Sequence, residues 1–210
     1  MRSQEAQQLA LVEHAALSHL SRHQINDMVV DARGHAYVGQ MGYDLHRGGP
    51  FEPAALLRVD PDGSTHEAAE GMRVANGMAV ANDDRTLIVA ESAGKDLVAF
   101  DVADDGSLSN RRVWAELPDH PDGMCIDAED GVWFACPVGD RFMRVVEGGD
   151  VTDEIAVPGR HAIACALGGT AGRTLFMLTA PTLGNPDESR AAMDARIETT
   201  VVTVPGVERP

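Results

Sequence analysis

Three short polar pairs carry the side chains best suited to chemistry: Asn26-Asp27, Asn76-Gly77 and Asp122-Gly123. Each opens a run of apolar residues, and their first members stand about 50 and 46 residues apart. Carboxylate and amide oxygens gathered at one point suit a hard divalent cation such as calcium or magnesium. Taken one at a time, Asn-Gly and Asp-Gly are also common turn signals, so what argues for a site is their shared place in a repeat. The three cysteines, Cys125, Cys136 and Cys165, lack a CxxC spacing and sit in apolar stretches. They read as reduced, buried thiols, and a structural zinc site is not expected. No Gly-x-Ser-x-Gly elbow offers a covalent nucleophile.

The elements that must position these residues follow from self-similarity. One unit runs from Ile25-Asn-Asp-Met-Val-Val-Asp through Gly34 and Ala36-Tyr-Val-Gly to Leu57-Arg-Val-Asp-Pro-Asp-Gly. A second runs from Asn76-Gly-Met-Ala-Val through Thr86-Leu-Ile-Val-Ala-Glu to Leu97-Val-Ala-Phe-Asp. A third joins Asp122-Gly-Met-Cys-Ile-Asp, Gly131-Val-Trp-Phe-Ala and Phe142-Met-Arg-Val-Val. A weaker fourth joins His161-Ala-Ile-Ala-Cys, Thr174-Leu-Phe-Met-Leu-Thr and the run from Ile197. Short β-branched runs between Asp, Asn and Gly turns, repeating every 40 to 50 residues or so, form the pattern of a four-stranded propeller blade. Blades are radial, so equivalent positions at the start of each inner strand converge on the axis.

The expected fold is therefore all-β: one β-propeller domain over residues 1–210, with about four blades plus an outer strand. Residues Gln4 to Leu20 have some helical character, but Leu9-Ala-Leu-Val-Glu-His is read as the outer strand. The stretch Gly184 to Arg190, rich in Pro, Asp, Ser and Asn, is read as an exposed connection. Trp114, Trp133 and Phe134 are expected to pack between blades, and Arg111-Arg112 to be a solvated pair. His23, His46, His120 and His161 fall in loops or at strand starts, each placed to face a central cavity.

Composition excludes several classes. With 33 acidic against 17 basic residues the net charge is −16, which opposes capture of nucleic acid or anionic membranes. No apolar run reaches the eighteen or so residues that cross a bilayer. The start lacks the features of a secretory signal, so a cytoplasmic protein is expected.

The strings INDMVVDARGHAYVG, NGMAVANDDRTLIVAES, DGSLSNRRVWAELPDHPDGMCIDAEDGVWFA and ACALGGTAGRTLFMLTA, in this order, resemble consecutive blades of the senescence-marker-protein/gluconolactonase (regucalcin-like) family. The similarity runs from about Leu9 to Gly206. It implies a propeller of the six-bladed type, here lacking N-terminal blade structure, and divalent-metal-dependent hydrolysis of sugar lactones or related esters. Calcium is the first choice of cation, with zinc or magnesium as alternatives. The family holds the cation through a first-blade glutamate, an Asn-Gly asparagine and an Asp-Gly aspartate; Asn76 and Asp122 match the last two, and Asp122 would also be the general base. Asn26 matches a substrate-contacting asparagine and Asp44 an acidic substrate residue. Gln24 stands where many members carry a substrate-binding arginine, which implies a different or less anionic substrate, and Ala75 replaces the proline that usually precedes the Asn-Gly turn, a change expected to loosen the turn without removing the ligand. The glutamate has no counterpart, since Glu5 and Glu13 lie in no matching motif.

The expected partner is a small-molecule lactone or ester, with self-association through exposed blade edges. Two other readings stay open: a non-catalytic propeller fragment acting as a binding module, and a propeller with different chemistry, because fold alone licenses none.

Overall fold

The computed structural model describes residues 11–44 and 49–207. Blade 1 is an antiparallel sheet of β1 (Ile25–Val30), β2 (Ala36–Gln40), β3 (Ala54–Val59) and β4 (Thr65–Met72), in that order. Blade 2 contains β5 (Ala75–Val80), β6 (Thr86–Glu91), β7 (Asp96–Val102) and β8 (Leu108–Glu116). Blade 3 contains β9 (Met124–Ile126), β10 (Val132–Cys136), β11 (Arg141–Val145) and β12 (Val151–Ala156). Blade 4 has three described strands, β13 (His161–Gly168), β14 (Thr174–Ala180) and β15 (Arg196–Val201). The expected four-blade propeller arrangement is what the chain adopts.

Local chemistry explains the hairpins. The Asp31 Oδ1 accepts from the backbone N–H groups of Arg33 and His35, both at 2.9 Å, and the Asp127 Oδ1 from those of Glu129 and Gly131, both at 3.0 Å. Asp83 does the same for Arg85 and Thr86. These Asx turns close the inner hairpins of blades 1 to 3 by satisfying donors that the sheet cannot reach.

Packing is radial. β5 is buried along its whole length because a blade covers each of its faces, whereas the outermost strands β8 and β12 are mostly exposed. Tyr37, Leu56, Met78 and Phe100 join blade 1 to blade 2, Ile88, Trp114, Phe134 and Met143 join blade 2 to blade 3, and Trp133, Phe142, Leu175 and Met177 join blade 3 to blade 4. Trp114, Trp133 and Phe134 thus pack between blades as expected. Residues of the four inner strands, β1, β5, β9 and β13, line an open channel of about 300 Å³, with Gly206 and Val207 also in its wall. Gly206 is held there by hydrogen bonds between its N–H and the Gly172 carbonyl and between the Ala128 N–H and the Pro205 carbonyl.

Three expectations need correction. The outer strand from Leu9 begins outside the described residues, and its described part carries no strand. Ala15, Leu17 and Leu20 instead lie over Val38, Leu57 and Val59, so this segment covers a sheet face rather than pairing along an edge. The Gly184–Arg190 connection contains a helix, α1 (Pro186–Ala192). Its start is built from Asn185 as N-cap, Pro186 in the first turn and the acidic Asp187 and Glu188, all favourable to a helix N-terminus. Arg111 and Arg112 are not a solvated pair: Arg111 bonds the buried Glu91 at 2.8 Å and Arg112 bonds Asp101 at 2.7 Å.

Buried charge in the framework is paired. Glu91, fully buried, accepts from Arg73 and Arg111, and Asp127, also fully buried, accepts from the Arg144 Nε at 2.6 Å. Asp127→Ala strands Arg144, itself 6% exposed, without its counter-ion, so a loss of about 3 kcal/mol is expected in denaturant unfolding. An unchanged unfolding midpoint would show that the pair contributes nothing to the blade.

Candidate functional site

The inner strands are irregular at the crest of the channel. The register of β1 against β2 shifts between Ile25 and Met28, that of β5 against β6 between Ala75 and Met78, and that of β13 against β14 between Ala162 and Ala164. Asn26-Asp27 and Asn76-Gly77 therefore lie inside bulges, which re-aim side chains out of the pleat. Asp122-Gly123 immediately precedes β9 and is tied to β10, with the Asp122 N–H on the Ala135 carbonyl at 2.9 Å and the Ala135 N–H on the Gly123 carbonyl at 3.0 Å.

These pairs are not reverse turns. A Cβ added at Gly77 would lie 2.5 Å from the Asp122 carbonyl oxygen, and one at Gly123 would lie 2.5 Å from the Ala164 Cβ. Glycine at each place lets the next inner strand approach closely. Ala75, expected to loosen a turn, is fully buried within β5 and accepts from the Asn26 Nδ2 at 3.2 Å, which fastens blade 1 to blade 2.

Ser92, directly after β6, orders the centre of the site. Its hydroxyl donates to the Pro121 carbonyl at 2.6 Å, and its Oγ lies 3.1 Å from the Asn76 Nδ2. A hydroxyl has one proton, so toward Asn76 it can only accept, and the amide must present its NH₂ to Ser92. That leaves the Asn76 Oδ1 facing away, buried and without a hydrogen-bond partner, on a residue that is 9% exposed. An unsatisfied buried acceptor costs about 1–3 kcal/mol, and such atoms in native folds call for a ligand or ion.

Asp122 adjoins this amide. Burial pushes its carboxyl up to about 7; Asn76 and the Gly123 N–H pull it down, while the charge of Asp27 raises it further. Asp27 is exposed, yet enough protein surrounds it to raise its pKa as well by desolvation. Among the described residues no ion pair reaches Asp122, in contrast to Glu91 and Asp127.

Two histidines flank the crest at matching positions, two residues before Asp122 and two before Ile163. The Nδ1 of His120 lies 2.7 Å from the Ser92 carbonyl, and that of His161 lies 2.7 Å from the Pro137 carbonyl. A carbonyl partner places the proton on Nδ1, which leaves each Nε2 an acceptor in the neutral ring. Gln24 and Asp44 meet, Nε2 to Oδ1, at 3.5 Å. His23 lines a different cavity of about 310 Å³ on the outer side of blade 1, with Arg22, Gln40, Glu52, Glu67 and Glu70. None of the crest oxygens lines that cavity, so its size does not make it the site. Glu13 is exposed, and Glu5 and His46 fall outside the described residues.

Among the described residues no three His, Cys, Asp or Glu side chains form a metal cluster. An unpartnered amide oxygen beside a carboxylate nevertheless fits a hard cation that takes its remaining oxygens from water, and it does not fit a tetrahedral zinc cage. Ser92 was not singled out from sequence. Its nearness to Asn76 depends on the register that sets Ala75 opposite Glu91, which no local motif reveals.

Residues 1–181 match the family model described as SMP-30/Gluconolactonase/LRE-like region. The chain is 31% identical over 160 residues to regucalcin of Danio rerio, covering 74% of this chain and 54% of that protein. It is 28% identical over 190 residues to a 6-deoxy-6-sulfogluconolactonase of Pseudomonas putida, covering 88% and 64%. Among solved structures, a gluconolactonase of Xanthomonas campestris aligns with TM-score 0.63 and 28% identity over 75% of this chain and 54% of its own. A calcium-binding regucalcin of Agrobacterium tumefaciens aligns with TM-score 0.77 and 20% identity over 96% and 69%, a likeness of fold. The chain spans little more than half the length of most of the curated relatives it matches.

The ordinary carboxyl value of 3.8 and the raised value of about 7 at Asp122 define a pH window. Between them the folded chain holds more protons than the unfolded one, so this group's contribution to stability falls as pH rises through the window. In chelator, Asp122→Asn is expected to melt above the parent at pH 8, with the difference closing below pH 4. Equal melting at pH 8 would show that Asp122 is not desolvated.

Proposed function

Because the chain belongs to the SMP-30/Gluconolactonase/LRE-like family, we propose that it is a divalent-cation-dependent hydrolase of sugar lactones or related esters. The observation that carries this reading is the unpartnered, buried Asn76 Oδ1 beside an Asp122 carboxyl that has no counter-ion. Calcium suits this oxygen set best. The similarity to a gluconolactonase and to a 6-deoxy-6-sulfogluconolactonase supports the substrate class.

Asn76 and Asp122 would hold the cation, which when bound would polarise the lactone carbonyl and stabilise charge on its oxygen. Asp122 draws a proton from the attacking water, a role suited to a carboxyl set near neutrality by its surroundings. Gln24 and Asp44, side by side, bind substrate hydroxyls, and Asn26, tied to the Ala75 carbonyl through its Nδ2, offers its amide oxygen. Glutamine at 24 puts no positive charge there, so a neutral sugar lactone is preferred over an anionic one.

A second reading, a partial propeller acting as a binding module, is favoured by the outward face of blade 4. There Leu178 and Ile197 lie opposite each other, and both they and Val201 are exposed. Apolar side chains in a row on an uncovered sheet face promote association.

Lactone hydrolysis followed by proton release, with and without chelator, tests the first reading. Asp122→Ala is expected to lose about 10²- to 10⁴-fold in turnover, the usual contribution of a general base. Unchanged chelator-sensitive turnover in that variant would sink the assignment. Light scattering after size exclusion tests the second: self-association that Ile197→Lys reverses is expected, and a clean monomer at high concentration would contradict it.

A further inference from the structure

Resting on the cation site just proposed, we infer that Asp27 supplies its third protein oxygen, beside the Asn76 Oδ1 and the Asp122 carboxylate.

Position is the first argument. In the register of the inner strands, Asp27 is the blade 1 counterpart of Gly77 and Gly123, each of which directly follows a crest oxygen residue. A Cβ on Gly77 would be directed at the next blade, toward the Asp122 carbonyl and the Met124 N–H. Asp27 carries a Cβ and is exposed, so its side chain stands clear of that close approach, on the β1 bulge one residue from Asn26. The Asn26 amide already reaches the Ala75 carbonyl, so the two crests are in contact one residue away.

The second argument is independent of position. The Asn76 Oδ1 is a buried acceptor, on a residue nine-tenths buried, that no protein donor satisfies, and its direction is fixed by the single proton of Ser92. It needs a cationic or hydrogen-donating partner, and the side chain nearest in sequence register on blade 1 brings a carboxylate. With both carboxylates ionised, they and the amide oxygen are all acceptors, and none can satisfy another. A divalent cation between them satisfies all three at once.

The third argument is availability. Among the described residues no ion pair or hydrogen bond engages the Asp27 carboxylate, whereas Asp31, four residues on, is spent on a turn and on the His35 ring. The charge of Asp27 is felt at Asp122, in keeping with their convergence on one point. Blade 4 offers Ile163 at the matching place, so the oxygens come from blades 1 to 3 and the fourth side of the crest is apolar.

Calcium titration calorimetry on the whole chelator-treated chain separates the possibilities, with far-UV circular dichroism to verify each variant's fold. The parent is expected to bind, Asp27→Asn to bind at least about tenfold more weakly, Asp27→Glu to keep most of the affinity, and Asp122→Asn to lose binding. Asp27 is exposed, so these variants leave the packing alone. Binding by Asp27→Asn within about twofold of the parent, with Asp122→Asn inactive in binding, would overturn the role of Asp27 and leave the Asn76–Asp122 site standing. A parent chain that binds no calcium would overturn both.

Discussion

The inner strands approach so closely at the crest that no Cβ fits at residues 77 and 123, and much of the site depends on this constraint. Glycine there brings the Asp122 segment against blade 2, which places the Pro121 carbonyl within reach of Ser92 and the Asp122 carboxyl beside Asn76. The bulges in β1, β5 and β13 are the other half of the arrangement. They break the alternation of the pleat at Asn26-Asp27, at Asn76-Gly77 and at Ile163.

Electrostatics divides the buried acids into two kinds. Glu91 and Asp127 are paired with arginines and hold blades together; Asp31 is engaged by its own turn and by His35. Asp122 has none of these partners, and its pKa is raised accordingly. Among the described residues the fully buried acids Glu91 and Asp127 are paired, while the partly buried Asp122 carboxyl is left desolvated beside an unpartnered amide oxygen. The cation of the proposed function would relieve both, and groups perturbed in this way are commonly found at functional sites.

The repeat was legible because each blade states its own strands and turns locally: Asp31, Asp83 and Asp127 announce the inner hairpins, and the apolar runs between them announce the strands. The helix α1 was equally legible, since Asn185-Pro186-Asp187-Glu188 is a helix start, and it was passed over because the composition of the stretch resembled a loop. The partners of Arg111 and the covering role of Ala15, Leu17 and Leu20 were not legible. Both depend on which faces two distant segments present to each other. Gln24 and Asp44 were each named as substrate residues from the family resemblance, but their meeting at 3.5 Å was not legible in the sequence.

By itself, then, the sequence determined the blades, their order and the chemical type of the crest residues, because strands, Asx turns and oxygen-bearing side chains are properties of short segments. The tertiary structure alone decided the use of those residues. It made Gly77 and Gly123 points of close approach rather than turns, gave Ser92 the direction of the Asn76 amide, and left Asp122 without a counter-ion. Each of these depends on which blade lies beside which, and at what distance. Residues as far apart as 27, 76, 92 and 122 acquire a common environment only when radial packing brings their strands to one axis.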